Sequence, residues 1–376
     1  MKYIYISFTI KLSCGTKKIH GDIKSPSVDV DEGDNMNNLI KIQQKLIPQV
    51  IELMEKRYSI LRQISLSEPI GRRTLSNVLG ISERVVRSET EFLKEQGLIE
   101  VAVSGMTMTQ EGMDLLEELK DIMNDIMGLS TLQEKVKEKL GIKKVLLVPG
   151  SYDQNPSLIK DIAKLGSEYF LSILKDGDVV SITGGSTMLE FSNAIKTDKK
   201  YENTTVVPAR GSMGKDVVSQ SNNIVATTSK KLGANYKLLH IPDELGTEAM
   251  KTLTQEPQIK NTLDMIEKTD VLVFGIGIAL EMAKKRRLPE ERIQELIDKD
   301  AIGEAFGHYF NKNGEIVCKL NTVGIHLDTF KKAKENIAIF AGTQKAESFI
   351  AMTNINKNIS LVTDEESANR ILELLQ

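Results

Sequence analysis

Ile70-Gly-Arg-Arg-Thr-Leu-Ser-Asn-Val-Leu-Gly-Ile-Ser-Glu-Arg-Val-Val-Arg-Ser-Glu-Thr-Glu-Phe-Leu-Lys-Glu-Gln-Gly-Leu-Ile99 reads as a helix, a tight turn and a second helix. The pattern predicts a short helix over Thr74 to Leu79 with Leu75 and Val78 inward. Gly80 supplies the backbone freedom for the turn, and Ile81 fills the space between the helices. Ser82 is a good N-cap for a second helix running to about Gln96. Val85, Val86, Glu89, Phe92 and Leu93 share one side of it; Arg84, Arg87, Ser88 and Glu91 share the other. Gly97 stops the helix. Leu98 to Val103 and Met106 to Thr109 then read as two strands of a wing joined at Ser104-Gly105.

Arginines on the open side of a second helix, just past a short turn, match the way a helix-turn-helix enters the major groove of DNA. Arg84, Arg87 and Ser88 are the expected base contacts, with Ser82 at the cap and Arg72, Arg73 and Thr74 toward phosphates. Charge supports the assignment. The whole chain carries a net charge of −3. Yet between positions 56 and 95 the cations Lys56, Arg57, Arg62, Arg72, Arg73, Arg84, Arg87 and Lys94 outnumber Glu68, Glu83, Glu89, Glu91 and Glu95. A nucleic-acid surface in an acidic protein has to be local in this way.

Outward from this stretch, apolar residues from Leu39 to Leu66 recur at helical spacing, with Pro48 as a start or a kink. Residues 1–35 run from an apolar, signal-like opening that Lys11 interrupts into a polar and acidic stretch. They are expected to be a dispensable, poorly ordered extension. Thr109 to Leu140 forms an amphipathic stretch interrupted at Gly128 and Ser130. It suits a helical linker that packs on its neighbour or pairs with a second copy.

From Lys143 onward strands and helices alternate. The strands expected are 144–149, 178–183, 204–208, 235–240, 271–274, 337–340 and 360–363. Such alternation implies a largely parallel sheet with helices on both faces. The chain of 376 residues thus divides into an extension at 1–35, a winged helix-turn-helix at 36–110, a helical linker at 111–142 and an effector-binding domain at 143–376. The fold class is an N-terminal all-α winged helix-turn-helix plus a C-terminal α/β Rossmann-like domain.

Ligands of open α/β sheets bind at the carboxyl ends of the strands. Four such ends are rich in glycine or cations: Thr183-Gly-Gly-Ser-Thr-Met188, Pro208-Ala-Arg-Gly211, Phe274-Gly-Ile-Gly277 and Phe340-Ala-Gly-Thr-Gln-Lys345. Bare backbone, a helix N-terminus and hydroxyls suit an anion. Together they point to a small phosphorylated ligand. Neither a dinucleotide fingerprint nor a Walker lysine is present in register.

With these residues quoted, the chain resembles the SorC/DeoR-type sugar-responsive regulators from about Leu39 to Leu375. The resemblance rests on Leu75 to Arg87, Gly184 to Met188, Pro208 to Gly211, Gly275 to Gly277 with Met282 to Arg287, Glu304 to Gly307 with Tyr309-Phe310, and Gly342 to Lys345. It implies an effector domain similar to the sugar-phosphate isomerase and deaminase fold. It further implies operator DNA as partner, a homo-oligomer (dimer or tetramer), repression of glycolytic genes, and fructose 1,6-bisphosphate as effector with no cofactor and no metal. Carried over, the resemblance puts one phosphate on Gly184, Gly185, Ser186 and Thr187. Arg210, Arg286, Glu304 and Lys345 supply charged contacts, and Gln220 a polar one. Ser186 replaces a threonine, the loop after Arg210 differs, and Arg286 and Arg287 compete for one role.

A second possibility is a sugar-phosphate isomerase or deaminase with a fused DNA module. That chemistry needs a placed base. Glu304, Asp243 and Glu244 are the available carboxylates, and His20, His240, His308 and His326 form no evident pair with one. The reading therefore favours a regulator. Cys14 and Cys318 make neither a disulfide framework nor a zinc site. With no apolar run of membrane length, the expected setting is the cytoplasm.

Overall fold

The computed structural model describes residues 46–211, 217–242 and 246–376. Residues 1–35, expected as an extension, Asp243, Glu244 and residues 212–216 after Arg210 lie outside the described residues. Among the described residues, helix α1 (Pro48–Ser67) starts at Pro48, where a missing N–H costs nothing. Its Ile60, Leu61 and Ile64 pack with Leu75, Val86, Leu93 and Ile99 into one small core.

Helix α2 (Arg72–Leu79) begins two residues before Thr74. Gly80 follows in the left-handed region, and Ser82 caps α3 (Glu83–Glu95) by accepting from the Val85 amide at 3.4 Å. Thr90 joins Val86 and Leu93 on the buried side of α3. The wing pairs β1 (Ile99–Ala102) with β2 (Gly105–Met108). Its turn is Val103-Ser104, one residue earlier than Ser104-Gly105. Gly105 is needed inside the ladder: a Cβ there would stand 2.9 Å from the Ile70 amide nitrogen.

The expected linker is two helices. Helix α4 (Gln110–Ile126) packs on α1, and α5 (Leu129–Leu140) sits in the α/β domain, where Leu129, Val136 and Leu140 join its main core. Gly128, left-handed at φ 74°, separates them.

The α/β domain follows in order: β3 (Lys144–Val148), a 3-10 turn (Pro156–Leu158), α6 (Ile159–Ile173), β4 (Val179–Ile182), α7 (Ser186–Ala194), β5 (Thr205–Pro208), α8 (Ser221–Leu232) and β6 (Asn235–Tyr236). Next come α9 (Thr247–Leu253), α10 (Pro257–Ile266), β7 (Val271–Phe274), β8 (Gly277–Ile278), α11 (Ala279–Lys285) and α12 (Glu290–Asp298). The chain ends with β9 (Gly303–Ala305), β10 (His308–Phe310), β11 (Ile316–Lys319), α13 (Leu327–Lys332), β12 (Glu335–Ile339), α14 (Ala346–Ile355), β13 (Ser360–Asp364) and α15 (Glu365–Leu374).

A seven-stranded sheet runs β3-β13-β12-β7-β4-β5-β6, and every recorded pairing is parallel. Alternate strand residues feed two cores: Leu272, Phe274, Phe340 and Leu361 on one face, Val180, Ile182, Val273 and Ile339 on the other. The order reverses between β4 and β7, which creates the crevice at their carboxyl ends. The segment expected as a strand over 235–240 keeps only Asn235–Tyr236. Beyond it the Asn222 side chain donates to the Leu239 carbonyl and accepts from its amide, both at 3.0 Å, in place of a ladder. A second, four-stranded sheet, β11-β10-β9-β8, is antiparallel. No helix among the described residues is long and apolar enough to cross a membrane.

Candidate functional site

On the helix-turn-helix, Arg73, Thr74, Ser82, Arg84, Arg87 and Ser88 are exposed, and Arg72 is half-buried at the start of α2. Arg87 lies 3.8 Å from Glu91 with 68% of its side chain in solvent, so that contact leaves it available. Two nearby cations are committed elsewhere. Arg57 donates to Glu89 at 2.9 Å and stacks 3.6 Å from the centre of the Phe92 ring. Arg62 donates to Asp161 and to the Pro149 carbonyl. The basic surface that remains is the face of α2 and α3.

In the α/β domain a cleft of about 900 Å³ opens at the carboxyl ends of the central strands. It brings together all nine residues expected at the ligand: Gly184, Gly185, Ser186 and Thr187 from the β4–α7 turn, Arg210 after β5, Gln220 before α8, Arg286 after α11, Glu304 on β9 and Lys345 after β12. Gly185 takes φ 119°, a conformation other residues rarely adopt, directly before Ser186 and Thr187, which open α7 and line the cleft. Its own amide donates to the Ser219 carbonyl at 2.8 Å. Gly184 lies against the same segment, where a Cβ would stand 3.0 Å from the Ser219 oxygen.

Glu304 organises the opposite wall. Its Oε1 accepts from Arg210 Nη1 at 2.9 Å, from Arg286 Nη2 at 3.3 Å and from the Gly307 amide at 2.9 Å, with only 3% of the side chain exposed. Burial pushes this carboxyl's pKa up, but the two guanidiniums outweigh burial and hold it below the usual carboxylate range. Glu304 is therefore an ionised anchor for cations, a poor match to a general base. The register of β8 and β9 sets Gly277 opposite Glu304, with Met282 packed where a Cβ would lie. The Gly-Ile-Gly turn thus serves strand pairing as well as the cleft. Burial pushes the Lys345 ammonium down, and Lys285 adds to the effect while Glu281 opposes it.

Arg286 and Arg287 also separate. The Arg286 side chain is 3% exposed and reaches Glu304, whereas Arg287 is exposed in the left-handed conformation that ends α11. Sequence reasoning missed Ser221, Glu281 and Lys285 as cleft residues and gave Thr183 only as the start of its glycine-rich turn. The Thr183 hydroxyl accepts from the Gly275 amide at 3.3 Å, and Ser221 donates to the Arg210 carbonyl at 2.9 Å. Lys285 was visible as part of the basic run after Met282; Ser221 gave no local signal.

A basic helix-turn-helix joined to an α/β domain with an anion-ready cleft is a DNA-binding transcriptional regulator with a sugar-binding domain. The CggR N-terminal DNA binding domain matches residues 53–123, and the sugar-binding domain family matches residues 124–373. The central glycolytic genes regulator of Bacillus subtilis is 41% identical over 337 residues, covering 90% of this chain and 99% of that protein. The regulator of the same name from Priestia megaterium is 40% identical, covering 90% of this chain and 99% of its own length. The crystal structure of a SorC family transcriptional regulator from Enterococcus faecalis superposes with a TM-score of 0.61 at 30% identity, covering 64% of this chain and 99% of that one. The chain belongs to the central glycolytic genes regulator family, within the SorC-type sugar-binding transcriptional regulators. These relatives are regulators of transcription, and the chain is a regulator, not an enzyme.

Proposed function

We propose that this protein is a repressor of central glycolytic genes whose operator affinity is lowered by fructose 1,6-bisphosphate bound in the cleft. The observation that carries this reading is the pairing, across one cleft, of the α7 N-terminus with Arg210, Lys285, Arg286, Arg287 and Lys345. A sugar bisphosphate needs two separated anion sites and an acceptor for its hydroxyls. The α7 amides with Ser186 and Thr187 serve one phosphate, the arginines and Lys345 serve the other, and Glu304 accepts from the sugar. No cofactor or metal takes part.

At the other end, Arg84, Arg87 and Ser88 meet bases while Arg72, Arg73 and Thr74 meet phosphates, with Ser82 holding the start of α3. The protein acts in the cytoplasm as a homo-oligomer, because helix-turn-helix modules gain affinity and register from paired half-sites. Thermal melting with fructose 1,6-bisphosphate, beside glucose 6-phosphate and dihydroxyacetone phosphate, tests the effector. A rise in Tm selective for the bisphosphate is expected, and no rise at millimolar ligand rejects the assignment.

A further inference from the structure

Two arginines on α1 point in different directions along the molecule. Arg57 grips α3 through Glu89 and Phe92, on the same helix that carries Arg84 and Arg87. Arg62 reaches the α/β domain, donating from Nε to Asp161 at 2.7 Å and from Nη1 to the Pro149 carbonyl at 2.9 Å. Its neighbour Gln63, 4% exposed, accepts from Asn155 at 2.9 Å. Pro149 and Asn155 bound one short loop.

That loop is tied in turn to the cleft. Asp153, in its middle, accepts from the Thr343 amide at 3.1 Å and from the Thr343 hydroxyl at 2.6 Å. Thr343 opens the 3-10 turn that ends at Lys345, on the cleft wall. Hydrogen bonds joined by short stretches of chain thus lead from Lys345's turn through Asp153, the 149–155 loop, Arg62 and α1 to α3.

Among the described residues, the other ion pairs between the two modules, Lys120 with Glu168 and Lys164 with Glu117, are more open to solvent, with side-chain exposures of 30% and 39%, and 56% and 59%. They join Lys120, Glu117, Lys164 and Glu168 in one network whose members are more open to solvent screening. Arg62 and Asp161, each 17% exposed, are better shielded, and Arg62 also holds a backbone carbonyl. Coupling between sites travels through packed and hydrogen-bonded elements of this kind.

We propose that Arg62 is the residue through which occupancy of the cleft reaches α3. A ligand anion that draws in Lys345 shifts the Thr343 turn, Asp153 follows, and the loop moves its hold on Arg62 and so tilts α1 with α3. The proposal rests on the function proposed above for its ligand, while the latch itself is a property of the unliganded chain.

The test uses the full chain and a duplex selected by the unmodified protein from a random pool. Operator affinity is measured with and without fructose 1,6-bisphosphate for the unmodified protein, Arg62→Ala and Asp153→Ala, with ligand melting shifts alongside. Both variants are expected to keep a melting shift, and the ligand's effect on operator affinity is expected to fall by about fivefold or more. Variants that bind ligand and retain the unmodified ratio overturn the proposal. Asp153→Ala keeps the test valid should Arg62→Ala fail to fold. If the unmodified protein shows no melting shift, the effector reading fails by itself. The latch is then judged on unliganded operator affinity, which Arg62→Ala must change by about fivefold; an equal affinity overturns it.

Discussion

Arg210 and Arg286 share one oxygen of Glu304, at 2.9 and 3.3 Å, in the interior of the cleft. The carboxylate stands where two cations would otherwise repel. Breaking a buried ionic cluster by removing one member is strongly destabilising, by about 3–5 kcal/mol. Glu304→Gln is therefore expected to lower the Tm of the unliganded protein, and an added bisphosphate should recover part of the loss by bringing negative charge beside both guanidiniums. Thermal melting with and without ligand checks both parts. An unchanged unliganded Tm would show that the arginines do not depend on Glu304.

The same cluster sets a pH dependence. The folded-state pKa of Glu304 is depressed, so its contribution is fully present above the unfolded value of about 4.3. It is lost as pH falls through the folded pKa. Below about pH 4.3 the unmodified protein should lose stability more steeply than Glu304→Gln, which has no proton to take up. Urea unfolding at a series of acidic pH values measures the difference in slope.

The DNA face calls for the opposite pattern. Arg87 is largely exposed, and among the described residues it pairs only with Glu91, through a long contact. Arg87→Ala should leave stability within about 0.5 kcal/mol and leave the ligand melting shift unchanged. Specific DNA binding should weaken by about 1–3 kcal/mol if the guanidinium reads a base. Fluorescence anisotropy on selected and scrambled duplexes separates this from a phosphate contact, which would weaken both equally.

How far the sequence foretold this structure follows from element length. The seven parallel strands are short, continuous apolar runs bounded by turn residues, and six of the seven extend about as far as expected. The exception, β6, ends at Tyr236, and past it the Asn222 side chain holds the Leu239 amide and carbonyl, a contact 17 positions away that no local pattern records. The four-stranded sheet was not legible at all. Its strands β8 to β11 are two to four residues long, too short for alternation to register, yet they set Glu304 against Gly277. The cleft residues themselves stood out as glycines and cations at strand ends. Ser221 did not, because its work is to hold the Arg210 carbonyl by a single hydrogen bond.

Gly184 offers a steric test. A Cβ there would stand 3.0 Å from the Ser219 oxygen and 3.2 Å from the Ser221 nitrogen, both backbone atoms. Gly184→Ala must push the 219–221 segment away from the α7 N-terminus, an overpacking cost of about 1–3 kcal/mol. Its Tm should fall and its melting shift with a sugar bisphosphate should shrink. Gly71→Ala, with nothing within 4 Å of the added atom, is the control that should keep the full shift. A normal shift in Gly184→Ala would remove this turn from the ligand site.

Lys345 carries the last prediction, and its sign differs from that of Glu304. Burial lowers its pKa in the folded protein below the ordinary 10.5. At neutral pH the buried ammonium therefore opposes folding, and stability rises with pH between the folded and unfolded pKa values. A bound phosphate reverses the preference, because it stabilises the ammonium and raises the pKa. Above the unliganded pKa, ligand binding must then take up a proton, and affinity falls as pH rises. Working above pH 7 keeps the phosphates ionised, since their second pKa is about 6. Lys345→Met should raise the unliganded Tm by removing the buried charge, and it should abolish the ligand shift. Lys345→Arg keeps the charge but does not titrate in this range, so its ligand affinity should stay level where that of the unmodified protein declines. Calorimetric titration with fructose 1,6-bisphosphate from neutral to alkaline pH, in buffers of different ionisation enthalpy, counts the proton directly. A level affinity in the unmodified protein with no proton uptake would place Lys345 outside the phosphate contact.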